Sequence, residues 1–154
     1  MIQRMATLLR NRRARFDFDI LDEFEGGLVL AGHEVKSLRT GRGKLEGSYV
    51  LIRGGEAYLV GASITPYQVA NTPKEYDPER PRKLLLSKKE LGKLERATEQ
   101  ERQTAVPLAI YEKGRTIKLG FATARGKKKT DKRESIKRRD VGREIERETK
   151  FKMR

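Results

Sequence analysis

The stretch YVLIRGGEAYLV, residues 49–60, decides the fold. Two apolar runs, Tyr49-Val50-Leu51-Ile52 and Ala57-Tyr58-Leu59-Val60, flank Arg53-Gly54-Gly55-Glu56. β-Branched and aromatic residues favour extended backbone, and the two glycines accept the positive φ of a tight turn, so this is a β-hairpin. Outward from it, Val106 to Tyr111 and Ile117 to Ala122 predict another hairpin turning at Gly114. Upstream, Phe16, Phe18 and Ile20 alternate with Asp17, Asp19 and Leu21, the period-two pattern of a half-buried strand. Gly26-Gly27 is expected to break the chain before Leu28-Val29-Leu30. Several short strands at regular turn spacing predict a mainly β domain, a small barrel or sandwich.

Two helices are expected among the strands. In SKKELGKLERATEQ, Ser87 and Glu90 have capping-box spacing, and Leu91 and Leu94 share a face. A shorter helix is expected around Glu34 to Arg39, where Val35 and Leu38 are spaced to face a core. Between them PYQVANTPKEYDPERPRK, with four prolines and many charges, predicts a surface excursion without packed structure.

Charge limits the function. Against 22 acidic residues stand 36 Lys and Arg, a formal +14 in 154 residues, and a surplus of that size favours a polyanionic partner. Residues 125–154 alone carry a net +8 with five apolar side chains, too few to offset the entropy of ordering the segment by itself. The expected organisation is a flexible N-terminus over 1–10, a folded RNA-binding body over 11–125, and a basic tail over 126–154 that is disordered when free. The chain has no cysteine, so disulfides and thiolate metal sites are excluded. The apolar run in MIQRMATLLRNRRARF is too short and interrupted for a signal peptide or membrane span, which makes a cytoplasmic protein without a membrane partner the expectation.

Catalytic chemistry finds little support. His33 is the sole histidine, so no two-imidazole metal site and no paired nucleophile can be built around it. Asp17, Asp19, Asp22, Glu23 and Glu25 form the one dense acidic group. Asp17 and Asp19 on one strand face would suit Mg²⁺, the basis of a nuclease reading, but the solvent face of an edge strand is the commoner use of such residues. No phosphate-binding glycine motif is present. The expectation is a protein that is not an enzyme, with no cofactor and no metal. Nucleic-acid binding is better supported by four basic clusters, NRRAR (11–15), KSLRTGRGK (36–44), RPRK (80–83) and RGKKK (125–129). Phe16, Tyr67, Tyr76 and Tyr111 lie between them as candidates for stacking on unpaired bases.

Several blocks carry a resemblance beyond composition. NRRARFDFDILDEFEGGLVLAGHEVKSLRTGRGKLEGSYV, RKLLLSKKEL, VPLAIY, and ARGKKKTDKRE with IKRRD follow one another between about Asn11 and about Arg147. They resemble the successive signature blocks of the small protein B (SsrA-binding protein) family. The resemblance implies an oligonucleotide-binding-type antiparallel β-barrel with flanking short helices. It also implies an RNA-binding trans-translation factor that binds the tRNA-like domain of transfer-messenger RNA and delivers it, with elongation factor Tu, to stalled ribosomes for rescue and peptide tagging. The barrel would stand in for an anticodon arm, and the tail would enter the decoding centre and message channel, becoming helical on the ribosome.

By the same resemblance, Glu25 and Leu85 match positions tied to RNA binding. Asn11, Arg12, Arg13, Lys36, Arg39, Arg82, Lys83, Lys127 and Lys128 match RNA-facing or flanking positions. Leu85 is also readable as a plain core residue. Asp131, Lys132 and Arg133 match the tail motif for ribosomal accommodation, and Arg139, Arg143 and Arg147 repeat at helical spacing as one cationic stripe. Two departures stand out: Thr130 and Val141 occupy places where the family commonly has a stacking side chain. A ribosomal or initiation-factor-like barrel explains the charge equally well but not the ordered set of blocks.

Overall fold

The structure is a computed structural model that describes residues 5–68, 70 and 72–127. Among the described residues there are nine strands and three short α-helices. β1 (Met5–Arg10), α1 (Ala14–Asp17), β2 (Phe18–Leu28) and α2 (Gly32–Arg39) come first, then the two-residue β3 (Gly43–Lys44), β4 (Tyr49–Arg53), β5 (Glu56–Val60) and β6 (Ser63–Ile64). β7 (Arg82–Leu85), α3 (Lys88–Glu95), which continues into a π-helical turn over Arg96–Gln100, β8 (Thr104–Lys113) and β9 (Thr116–Gly126) complete the fold.

All pairings are antiparallel, and they close on themselves. β4 pairs β5, β5 pairs β7, β7 pairs β2, β2 pairs β9, β9 pairs β8, and β8 returns to β4 through Val50 and Ala105. The body is a β-barrel, as the sequence implied, and closure removes the unpaired edges that an open sheet would present. β1 lies outside the ring, along the other end of β8, with Met5 opposite Lys113 and Arg10 opposite Ala109. Residues 5–10, expected to be flexible, are therefore strand: β8 outruns β4 and leaves backbone donors and acceptors that β1 satisfies.

The hairpin at 49–60 forms as read, its turn glycines Gly54 and Gly55 at φ of 60° and 76°. The second hairpin extends to Thr104 and Gly126, turning at Gly114 with φ 63°. α3 begins with the expected capping box: Ser87 Oγ accepts from the Glu90 amide at 3.1 Å, and Glu90 Oε1 accepts from the Ser87 amide at 3.2 Å. Two expectations fail in the N-terminal part. The strand begins at Phe18, because residues 14–17 make the one-turn α1, so Asp17 and Asp19 do not share a strand face. The strand also runs through Gly26-Gly27. A Cβ on Gly26 would lie 2.8 Å from Leu86 Cδ2 and 3.3 Å from the Leu85 carbonyl, so Gly26 lets the chain at Leu85-Leu86 approach.

The core fills the ring from inward-facing positions. Phe24, Val50, Leu59, Leu84, Ile110, Leu119 and Phe121 meet Leu38 of α2 and Leu94 of α3 in one cluster. Phe24 and Phe121 stack with ring centroids 5.3 Å apart. A smaller cluster of Ala14, Val106 and Ala124 seats α1 against the hairpin. Among the described residues no helix is long and apolar enough to cross a membrane.

Candidate nucleic-acid interface

Two carboxylates organise the polar structure of the barrel. Glu34, in the first turn of α2, is fully buried. Its Oε1 accepts from the Ala31 amide at 2.9 Å and from Arg80; its Oε2 accepts from Arg82 Nη2 at 2.6 Å, Arg82 Nε at 3.0 Å and Arg80 Nε at 3.2 Å. Arg82, also fully buried, donates further to the carbonyls of Ala62 and Pro78 at 2.8 and 2.9 Å. The Tyr76 hydroxyl lies within 3.1 Å of Glu34 Oε2 and 2.8 Å of the Ile64 carbonyl. Burial disfavours the charged Glu34, but the Arg80, Ala31 and Arg82 donors outweigh it and hold the carboxyl at about 2. Burial and the neighbouring Glu34 charge push the Tyr76 phenol up to about 12.

This cluster overturns two expectations. Arg82 is not RNA-facing, because its side chain is fully buried and each of its guanidinium nitrogens donates inside the protein. The proline-rich excursion is not merely superficial either, since Tyr76, Pro78 and Arg80 tie it to α2 and β7. Tyr76 consequently has no free hydroxyl to offer a base.

The second carboxylate lies on the outer face. Glu25 on β2 is about one-third exposed and takes a hydrogen bond from the Tyr111 hydroxyl. Lys113 and Lys118 each place Nζ 3.4 Å from its Oε1. Tyr111 holds the Glu25 carboxyl below the usual carboxylate range, against partial desolvation and with help from both lysines. Desolvation first, then the bond to Glu25, push the Tyr111 phenol up. Tyr111 is largely buried, so it is not the stacking platform the sequence allowed.

This pair lines a groove of about 710 Å³ together with Arg10, Arg12, Arg15, Glu23, Glu90 and Gly120. Arg12 also borders a hollow of about 420 Å³ that reaches Gly41 and Gly43, so the NRRAR and RTGRGK clusters adjoin one another. Asn11 holds this wall in place: its Nδ2 donates to the Pro107 carbonyl at 2.9 Å and its Oδ1 accepts from the Arg13 amide at 3.2 Å. Arg13 folds back onto α1, 3.1 Å from Asp17 and over the Phe16 ring at 4.8 Å. Lys127 donates from Nζ to the Arg15 carbonyl and from its amide to the Asp17 carbonyl, both at 2.9 Å, which docks the end of the described chain at the groove wall.

The remaining candidates scatter. On β7 the alternation puts Arg82 and Leu84 inside and Lys83 and Leu85 outside; Leu85 is 58% exposed, which removes the core reading of it. Lys83 lies 2.9 Å from Glu56. Lys36 is exposed on α2, and Arg39 pairs with Glu112 at 2.8 Å. Of the proposed stackers, Tyr67 stays open, with Arg42 over its ring at 5.8 Å. Lys128, Thr130, Asp131, Lys132, Arg133, Arg139, Val141, Arg143 and Arg147 fall outside the described residues. The sequence reading missed Lys118, although Ile117-Lys118-Leu119 has the alternation that turns a lysine outward. It also gave no role to Arg10 and Gly120.

Residues 8–151 match the profile of the SmpB protein family. The chain belongs to that family. Among the relatives of the family are proteins named SsrA-binding protein: one from Rubrobacter xylanophilus is 47% identical over 97% of this chain and 99% of its own, and one from Pseudomonas putida is 48% identical over 95% and 91%. A solved structure described as "tmRNA-SmpB: a journey to the center of the bacterial ribosome" superposes with a TM-score of 0.67 at 43% identity, over 85% of this chain and 95% of that one. The family barrel and the barrel described above are thus the same architecture.

Proposed function

We propose that the chain is an RNA-binding trans-translation factor that binds the tRNA-like domain of transfer-messenger RNA and delivers it to stalled ribosomes for rescue and peptide tagging. The single observation that carries this reading is membership, over residues 8–151, of a family with relatives named SsrA-binding protein. The groove arginines support it, since they suit an RNA backbone. Arg10, Arg12 and Arg15 track phosphates, Asn11 holds their loop, and Glu25 and Leu85 meet the RNA on the outer face of β2 and β7. Lys36, Arg39, Lys83 and Lys127 add flanking charge. Delivery takes place in the cytoplasm with elongation factor Tu, and it is binding rather than catalysis. The tail from Lys128, with Asp131, Lys132, Arg133, Arg139, Arg143 and Arg147, meets the small-subunit decoding centre and message channel.

RNA that copurifies with the chain from cells tests this. Sequencing is expected to return one dominant small stable RNA with a tRNA-like end; ribosomal RNA alone would favour the ribosomal-protein reading. A chain ending at Lys127 is expected to retain that RNA and to lose tagging.

A further inference from the structure

Among the strands of the outer face, Glu25 on β2 stands opposite Gly120 on β9, and Tyr111 on β8 stands opposite Lys118, two residues away. To reach Glu25 the tyrosine must lie diagonally across β9, and it does so over the one position there with no side chain. A Cβ on Gly120 would sit 3.1 Å from Tyr111 Cε1. The phenol therefore ends against the carboxylate, and both residues line the groove together with Arg10, Arg12 and Arg15.

The groove is lined by Arg10, Arg12 and Arg15 and by three carboxylates, Glu23, Glu25 and Glu90. A carboxylate repels phosphate, yet RNA also carries donors: base imino and amino groups and ribose hydroxyls. We propose that Tyr111 is the positioning residue of an acceptor site in this groove, its hydroxyl fixing the Glu25 carboxylate so that it takes a donor edge of a base or ribose. The inference rests on transfer-messenger RNA being the ligand. Tyr111 occupies one lone pair of Oε2, while Lys113 and Lys118 approach Oε1 only at 3.4 Å. Both lysines are about one-third exposed and can turn to phosphate as an RNA donor takes their place. Of the other charges lining the groove, Glu23 is engaged by Arg15 at 3.3 Å, Glu90 Oε1 accepts from the Ser87 amide and hydroxyl in the α3 cap, and Arg10 and Arg12 complete the set. Met5 and Thr7 of β1 bring none.

The test is a double-mutant cycle on the full chain, read by fluorescence anisotropy with the tRNA-like domain of transfer-messenger RNA at several salt concentrations. Tyr111→Phe keeps ring, fold and net charge and is expected to weaken binding about tenfold, the value of a hydrogen bond to a charged group. Glu25→Gln should cost at least as much, and the double variant no more than Glu25→Gln alone. The slope of log K against log salt should be unchanged in Tyr111→Phe, whereas Arg12→Ala should shallow it by about 0.7–0.9. If Tyr111→Phe does not keep the wild-type melt, Glu25→Asp replaces it in the experiment, drawing the carboxylate back by one methylene at constant charge; a similar loss is expected. Wild-type binding with a silent Tyr111→Phe or Glu25→Asp, or losses that multiply in the double variant, would overturn the inference alone. A wild-type chain that prefers this RNA no more than a hairpin of equal length overturns the functional reading and the inference with it.

Discussion

Glu34 and Glu25 are the same residue type, each held by a tyrosine hydroxyl and two cations, and they serve opposite ends. Around Glu34 the cations are arginines, planar and weakly hydrated; Glu34 and Arg82 are sealed inside the protein, and Arg80 reaches in from the surface. Around Glu25 they are lysines at looser distance on a surface that opens to a groove. Arginine forks saturate a buried carboxylate and leave nothing to exchange; lysines neutralise an exposed one and can let go. One carboxylate builds the barrel, and the other is available to a ligand.

The comparison breaks most visibly if the buried cluster is opened. Glu34→Ala leaves the Arg82 guanidinium buried without its anion, and removing one partner of such a pair costs about 3–5 kcal/mol. Urea denaturation should show a loss of that size, with the excursion at 66–81 becoming protease-sensitive. Glu25→Gln, on exposed partners, should shift the same midpoint by less than about 1 kcal/mol.

Next in size is the contrast along β7. Leu84→Ala removes a core side chain and should cost about 2–5 kcal/mol, while Leu85→Ala, one residue on and facing out, should cost under about 0.5 kcal/mol. If RNA binding falls in Leu85→Ala while the melt is unchanged, the residue acts at the surface.

Acid reads out the buried carboxylate directly. The folded protein depresses the Glu34 carboxyl from 4.5 to about 2, so its contribution to stability is fully present above pH 4.5 and is lost as pH falls towards 2. Urea midpoints taken between pH 5 and 2 should fall across that window in the wild type and stay flatter in Glu34→Gln, measured against its own value at pH 5.

The smallest effect concerns neither cluster and calibrates both. Ser87→Ala deletes the α3 cap and should cost about 1 kcal/mol with no change in RNA affinity.

The parts of this fold that the sequence announces are those set by neighbouring residues. Both hairpins and the Ser87 capping box are local patterns with local causes. Arg82 was illegible because RPRK looks like any solvated basic cluster; what buries it is Glu34, far back in the chain, and no nearby residue signals that pairing. The error then spread along β7. With an arginine at an inward position, the period-two pattern of RKLL has the wrong polarity, so Leu85 reads as core when it faces out. The groove was legible only in part: NRRAR stood out by charge, but the Glu25–Tyr111 contact depends on a strand register, and Gly120 matters only because a ring crosses it.

Closure of the ring has a consequence for synthesis. β2 pairs with β9 from Phe18 opposite Gly126 to Gly27 opposite Lys118, so a chain made from its N-terminus completes β2 long before its partner exists. Throughout that interval an eleven-residue strand stands without β9, the condition in which nascent strands find wrong partners. Asp19, Asp22, Glu23 and Glu25 lie along that strand, and in a chain otherwise so basic they act as gatekeepers, keeping the waiting edge hydrated until translation delivers the strand that belongs there.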